Sequence, residues 1–274
     1  MHQELGAPRL GGEPSRRLLG HAVAVVAIVF VGYYDLLVAA TSVGLDSHAY
    51  WAAWTHPLYS IPPGHVDAFL YAPVVAQILW PLGQLPADLF IGLWAAVMLA
   101  VFAWLLRPLQ PVWYLVGLLL CVPEAHEGNN NALQALMVVV GFRMPAAWAF
   151  ALLTKVSTGV GLLWFVVRGR WRAWLAAAAL AAALAAVSYA WWPDPWQAWV
   201  GLLVTRSGGG DWFFPARLVV AIGLVVWGAR TDRRWTVPAC LVLASPILFL
   251  NTLTILAAIP RLAGDRRGTG QGAE

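Results

Sequence analysis

Charge is scarce in this chain of 274 residues. Asp, Glu, Lys and Arg together make up 11% of it, against roughly 25% in an average soluble domain. With 61% hydrophobic residues and a mean hydropathy of +0.70, that shortage excludes a water-soluble globular domain. Cysteine is nearly absent. The two present, Cys121 and Cys240, both stand in apolar segments, which argues against a disulfide framework or a cysteine metal site. Lysine is scarcer still, Lys155 being the single one. The net charge of +4 and pI near 9.4 come from short, scattered arginine clusters. A topogenic and anionic-lipid role accounts for them, and a nucleic-acid partner is not expected. No His/Asp/Glu pattern has convincing ligand spacing, so neither a metal nor a cofactor is expected.

What the chain has instead is long apolar runs, such as HAVAVVAIVFVGYY, LFIGLWAAVMLAVFAWLL and AWLAAAALAAALAAVSYAWW. They lack the alternation of a barrel strand, so helices must satisfy the backbone in lipid. The 17 tryptophans suit the same medium, because indole rings anchor helix ends at the interface. The fold class expected is all-α, a polytopic transmembrane helical bundle of about 9–10 spans. Approximate span centres are Val26, Val75, Met98, Leu118, Met137, Leu153, Leu180, Ala221, Leu243 and Leu256. The fourth, fifth and tenth runs are short, as in re-entrant or broken helices buried in a bundle.

One membrane domain is expected over residues 18–262. A polar, disordered cytoplasmic N-terminus (1–17), which lacks the pattern of a signal peptide, precedes it, and a cytoplasmic tail (263–274) follows. Arg16 and Arg17, the RGRWR run at 168–172, Arg230 to Arg234, and Arg261, Arg266 and Arg267 are separated by even numbers of spans. The positive-inside rule places them in the cytoplasm. The loops around Asp46 and around residues 191–214 then face outward from a plasma membrane. Arg107 and Arg143 fall on the opposite side of this count.

The informative polar residues gather in a few places. The stretch GLDSHAYWAAWTHPLYSIPPGHVDAFLYAPVV holds Asp46, His48, Tyr50, His56, Tyr59, His65, Asp67 and Tyr71, which suggests a site at a membrane face. Lys155 lies within AAWAFALLTKVSTGVGLLWFVV beside Thr154, Ser157 and Thr158. An intramembrane charge of this kind usually meets a partner or a cavity. Two readings stand open: an ion pair with Asp35 or another carboxylate, or a compact cation that holds a lipid phosphate. Asp35 reads as a capping, pairing or interface residue. In EAHEGNNNALQALM, polar residues interrupt two short apolar runs. The segment is either a polar turn capped by Asn or a strip that lines water or substrate, with Asn131 and Gln134 on one helical face.

In this order the residues resemble glycosyltransferase family 87, the polyprenol-phosphate-mannose-dependent mannosyltransferases of the GT-C superfamily. Asp46-x3-Tyr50 is followed by Pro57-Leu58-Tyr59, by Phe69-x-Tyr71-x-Pro73 and by Pro81-Leu82. EGNNN stands where the family often has Gly-Gln-x-Asn, Lys155 precedes a basic turn, and Ser245-Pro246 comes late. The likeness covers roughly residues 20–262, while the external loop after the seventh span is compressed relative to the family.

The resemblance implies a GT-C-like membrane enzyme with its site on the first external loop. Its partners would be a polyprenyl-phosphate-sugar donor, a glycan or glycolipid acceptor and membrane lipids. It implies an inverting single displacement of a hexose, first of all mannose, with Asp46 as the base. Lys155 is the first candidate to stabilise the departing phosphate. His48, Tyr50, Tyr59, Tyr71, Asn129, Asn131 and Gln134 complete the substrate-binding candidates. His56 is a weaker choice, Asp67 competes with Asp46, and Arg206 and Asp211 could still reach substrate. Readings from other classes are a lipid or small-molecule transporter or flippase, and a degenerate member acting as a membrane scaffold.

Overall fold

The computed structural model describes residues 13–34, 42–206 and 212–264. The expectations attached to Asp35, to residues 207–211, to the side chains of Arg16, Arg17 and Arg206, and to Arg266 and Arg267 with the rest of the two termini lie outside the described residues. Those described form helices and turns, with no strand among them.

The path is a zigzag between two ends. α1 (Glu13–Tyr34) leads to a polar loop region carrying α2 (Leu45–Ala52) and α3 (Pro73–Leu79). α4 (Ala87–Leu106) descends from that loop end, α5 (Pro111–Glu127) returns, and α6 (Asn131–Gly141) descends again. A 3-10 turn (Pro145–Trp148) and α7 (Ala149–Thr154) climb to Lys155, and a 3-10 run (Val156–Leu162) with α8 (Leu163–Val167) comes back down. α9 (Trp171–Trp191) climbs and α10 (Pro193–Arg206) follows at the loop end, where Trp199 donates to the Leu70 carbonyl at 3.2 Å. α11 (Phe214–Arg230), α12 (Thr236–Leu243), and a last 3-10 run (Leu250–Ala258) with α13 (Ile259–Gly264) complete the bundle.

Local chemistry sets these boundaries. Proline occupies the first turn of α3, α5 and α11, where its missing N–H and fixed φ do no harm. Pro81 and Pro86 follow α3 closely and end it after 7 residues. The run centred on Val75 is therefore a short helix at the loop end, although its apolar length suggests a span. α9 is rich in alanine because Ala173, Ala177 and Ala181, spaced by four, are buried on one face, and small residues allow close helix approach. The core lies around Met98, Phe102, Trp148, Phe165, Leu241 and Ile255, each essentially without exposure.

Among the described residues two helices, α4 and α9, are long and apolar enough to cross a membrane. In the most apolar stretch of each, only 28% and 22% is buried within the protein. Apolar surface this extensive on the outside of a helix needs lipid around it, as expected of an all-α membrane protein.

The run AAWAFALLTKVSTGVGLLWFVV is not one helix. It folds back at Lys155, whose φ of −120° and ψ of 84° end α7. The two arms lie side by side: Leu152 packs at Gly159, and Trp148 at Gly161. With α3 too short to cross and this run doubled back, Arg107, Arg143, Arg168, Arg234 and Arg261 collect at one end of the bundle, while Arg217, in the first turn of α11, lies at the other. Arg168 meets Asp232 at 3.5 Å, Arg234 lies over Phe142, and Arg107 and Arg143 are within electrostatic range of Arg261. The discrepancy for Arg107 and Arg143 in the span count thus disappears in the structure.

Candidate active site

At the other end, two glycines let the first loop seat against the end of α5. Gly44 has φ 65° and donates its N–H to the His126 carbonyl at 2.8 Å. Gly128, at φ 79°, closes α5 with its N–H on the Glu124 carbonyl at 3.0 Å, a left-handed C-terminal cap that favours glycine. A Cβ on Gly128 would lie 2.4 Å from Ser47 Oγ, so the absent side chain lets α2 approach. Gly128→Ala combines this clash with strain at positive φ. It is expected to destabilise the protein by about 1–3 kcal/mol, read as a lower Tm in detergent, with the first loop released.

This seating brings Asp46 to Asn129. Asn129 Nδ2 donates to Asp46 Oδ2 at 2.6 Å, and Asn129 Oδ1 accepts from Lys155 Nζ at 3.0 Å. Lys155 Nζ also donates to Asn131 Oδ1 at 2.6 Å. The Asn131 N–H donates to Glu124 Oε1 at 3.0 Å, and Asn131 Nδ2 to the Asn251 carbonyl at 3.3 Å. Asn251 Nδ2 in turn donates to Glu127 Oε2 at 2.6 Å. A carboxylate and an ammonium are thus joined through a single amide, without a direct ion pair between them.

Electrostatics follow from burial. Desolvation raises the Asp46 carboxyl above its ordinary pKa, opposed by the nearby Lys155 ammonium and by the Asn129 hydrogen bond. Asp46 Oδ1 accepts no hydrogen bond among the described residues, so one oxygen of the partly exposed carboxylate is available to a ligand. Glu124 is fully buried, and its Oε2 has no hydrogen-bond partner among the described residues.

The tyrosines form one wall. The Tyr50 and Tyr71 hydroxyls are 3.0 Å apart, and Tyr59 donates its hydroxyl to the Tyr71 carbonyl at 2.6 Å. Burial pushes the Tyr50 and Tyr59 hydroxyls up in pKa, so both stay neutral donors. Tyr50 also packs edge-on against Trp94, whose Nε1 donates to the Gly128 carbonyl at 2.7 Å.

Not every candidate joins this cluster. His48 Nδ1 lies 2.5 Å from Asp67 Oδ1, so these two brace the loop against each other. His56 lies beside the Pro57 carbonyl at 3.4 Å. Gln134 is fully buried, its Nε2 donating to Thr154 Oγ1 at 2.8 Å and its Oε1 accepting from Thr158 Oγ1 at 3.4 Å. It clasps both sides of the reversal at Lys155 and does not open onto a ligand.

Sequence reasoning did not single out Glu124 or Asn251. A glutamate behind Pro123 in an apolar helix was the available signal for the first. Asn251 had none beyond its place after ILFL, because its role depends on a contact 120 residues away in sequence. The Ser245-Pro246 pair presents its carbonyls to Arg217 Nη1 and Nη2 at 2.9 and 3.1 Å, an anchor between α11 and the chain after α12.

No curated protein and no solved structure matches the chain. The sequence profile of glycosyltransferase family 87, in contrast, matches residues 69–271. That span takes in Tyr71, Glu124, the three asparagines and Lys155, and leaves Asp46 and Tyr50 just before it. Because the match extends over most of the sequence, the chain belongs to glycosyltransferase family 87.

Proposed function

We propose that this glycosyltransferase is a multi-pass enzyme of the plasma membrane that moves a hexose, mannose first, from a polyprenyl-phosphate-sugar to a glycan or glycolipid acceptor. The observation that carries the reading is the Asp46–Asn129–Lys155 chain, with a free carboxylate oxygen at one end and a half-buried cation at the other. A transferase of this kind needs a base for the acceptor and positive charge for the leaving group.

In the proposed step the acceptor hydroxyl gives its proton to Asp46 as its oxygen bonds to the anomeric carbon. The bond from that carbon to the phosphate oxygen breaks, and polyprenyl phosphate departs with the electron pair. Single displacement inverts the anomeric centre. Lys155 and the N–H donors around it stabilise the departing phosphate, and the Tyr50 and Tyr71 hydroxyls bind sugar. The excess of arginines at one end, Arg107, Arg143, Arg168, Arg234 and Arg261 against Arg217 at the other, supports a cytoplasmic arginine end and an outward-facing Asp46 end.

The test uses the full chain in lipid nanodiscs, with release of polyprenyl phosphate from polyprenyl-phosphate-mannose followed over a panel of glycan acceptors. Turnover is expected with the lipid-linked donor and not with GDP-mannose. Turnover with the nucleotide sugar alone, or with neither across a set of lipid-linked hexoses, defeats the reading.

A further inference from the structure

The outer face of α4 and α5, towards the arginine end, carries a feature that the sugar chemistry does not use. Between the two helices runs an apolar groove of about 380 Å³, lined by Leu99, Leu118 and Val122 among others, together with the small Ala100 and Ala103. Ala103 also lines a second hollow of about 590 Å³, whose other walls include Trp104, Arg107 and Tyr114. The two spaces share that one small residue in their linings. An apolar trough therefore adjoins a head region with a guanidinium, an indole and a phenol.

The head region is built. Arg261 stacks on the Trp104 ring at 3.8 Å from its centroid, and both its Nε and Nη2 donate to the Trp104 carbonyl. This fixes the indole beside Arg107. Arg107 is exposed and makes no hydrogen bond among the described residues, with the charge of Arg261 in electrostatic range. Two cations held near each other gain from an anion between them. From Leu99 to Arg107 the helix rises ~12 Å, most of the ~15 Å depth of one leaflet's hydrocarbon. An occupant with an acyl chain in the trough and an anion at the arginines has the dimensions and charge of a membrane lipid.

We infer that the groove between α4 and α5 is a binding site for an anionic phospholipid, its phosphate at Arg107 and Arg261 and one acyl chain along Leu99, Ala103 and Leu118. The site lies at the end of the bundle opposite Asp46, so its lipid is distinct from the sugar donor.

The full chain, purified in mixed micelles with equal dioleoyl phosphatidylglycerol and dioleoyl phosphatidylcholine, is examined by native mass spectrometry. Wild type is expected to keep phosphatidylglycerol in preference. Loss of one or both cations in Arg107→Gln and Arg107→Gln/Arg261→Gln lowers its retention by about 5- to 30-fold and removes the preference. Ala100→Trp, at an exposed position in the trough, leaves the arginines in place and abolishes retention of both lipids. Equal retention of the two lipids by wild type, unchanged preference in the arginine variants, or unchanged retention in Ala100→Trp overturns the inference.

Discussion

Asp46→Asn is expected to lower the turnover number by about 10²- to 10⁴-fold, the usual contribution of a positioned general base. The substitution keeps side-chain volume and leaves an amide oxygen that can still accept from Asn129 Nδ2, now 2.6 Å from Asp46 Oδ2. The fold and its Tm are therefore expected to stay near those of wild type, while the proton acceptor is gone. Release of polyprenyl phosphate in nanodiscs reads the first quantity, and circular dichroism melting in the same detergent reads the second. Turnover near that of wild type would remove Asp46 as base. Asp67, the other carboxylate of the first loop, is then the next candidate, yet it already faces His48 at 2.5 Å. Unlike Asp46, it is paired with a histidine of the loop and has no link to Asn129 or Lys155 among the described residues. For this reason Asp67→Asn is expected to act on the loop more than on the chemistry.

The residues that meet at Asp46 were legible in the sequence for a simple physical reason: polar groups are costly in an apolar chain. Asp46, Asn129, Asn131 and Lys155 stand out against 61% hydrophobic residues, and each must find a partner. The all-α class follows from the same solvent argument, since helices satisfy their own backbone. The reversal at Lys155 was hidden. The run from Ala146 to Val167 contains no proline and reads as one apolar helix. Its break is imposed by tertiary structure, by Gln134 bridging Thr154 and Thr158 and by Trp148 filling the space left by Gly141 and Gly161. Of these partners, Gln134 and Gly141 lie outside the run itself. The shortness of α3 did have a local signal in Pro81 and Pro86, which the apolar length of the run outweighed. Gln134 illustrates the opposite limit. Its spacing from Asn131 places both on one helical face, but spacing alone does not distinguish a residue that faces a ligand from one that fastens a neighbouring chain.

Lys155→Met is expected to lower turnover by about 10²- to 10³-fold, the range seen when one preorganised donor to developing negative charge is removed. Two mechanisms converge on that loss. The first is direct, because the departing phosphate loses a cation. The second passes through Asn129. Lys155 Nζ donates to Asn129 Oδ1 at 3.0 Å, which fixes the amide so that Nδ2 points at Asp46. Without the ammonium that orientation has lost one of its constraints. The backbone N–H of Asn130, at 2.7 Å from the same Oδ1, still favours it. The pH profile separates a chemical role from a merely structural one. Asp46 must be ionised to act as base, so activity rises with pH through its pKa. Burial raises that pKa, and Lys155 holds it down. Removing the positive charge lets it rise further, and the acid limb of kcat against pH is expected to move to higher pH. Lys155→Arg keeps the charge and should leave the limb near its original position, although the planar guanidinium cannot reproduce the contacts of a compact ammonium to both Asn129 and Asn131. Loss of activity in Lys155→Met with no displacement of the limb would mean that the lysine holds the reversal and its asparagines without acting on Asp46. A displaced limb, restored by arginine, ties the charge of Lys155 to the protonation of the base.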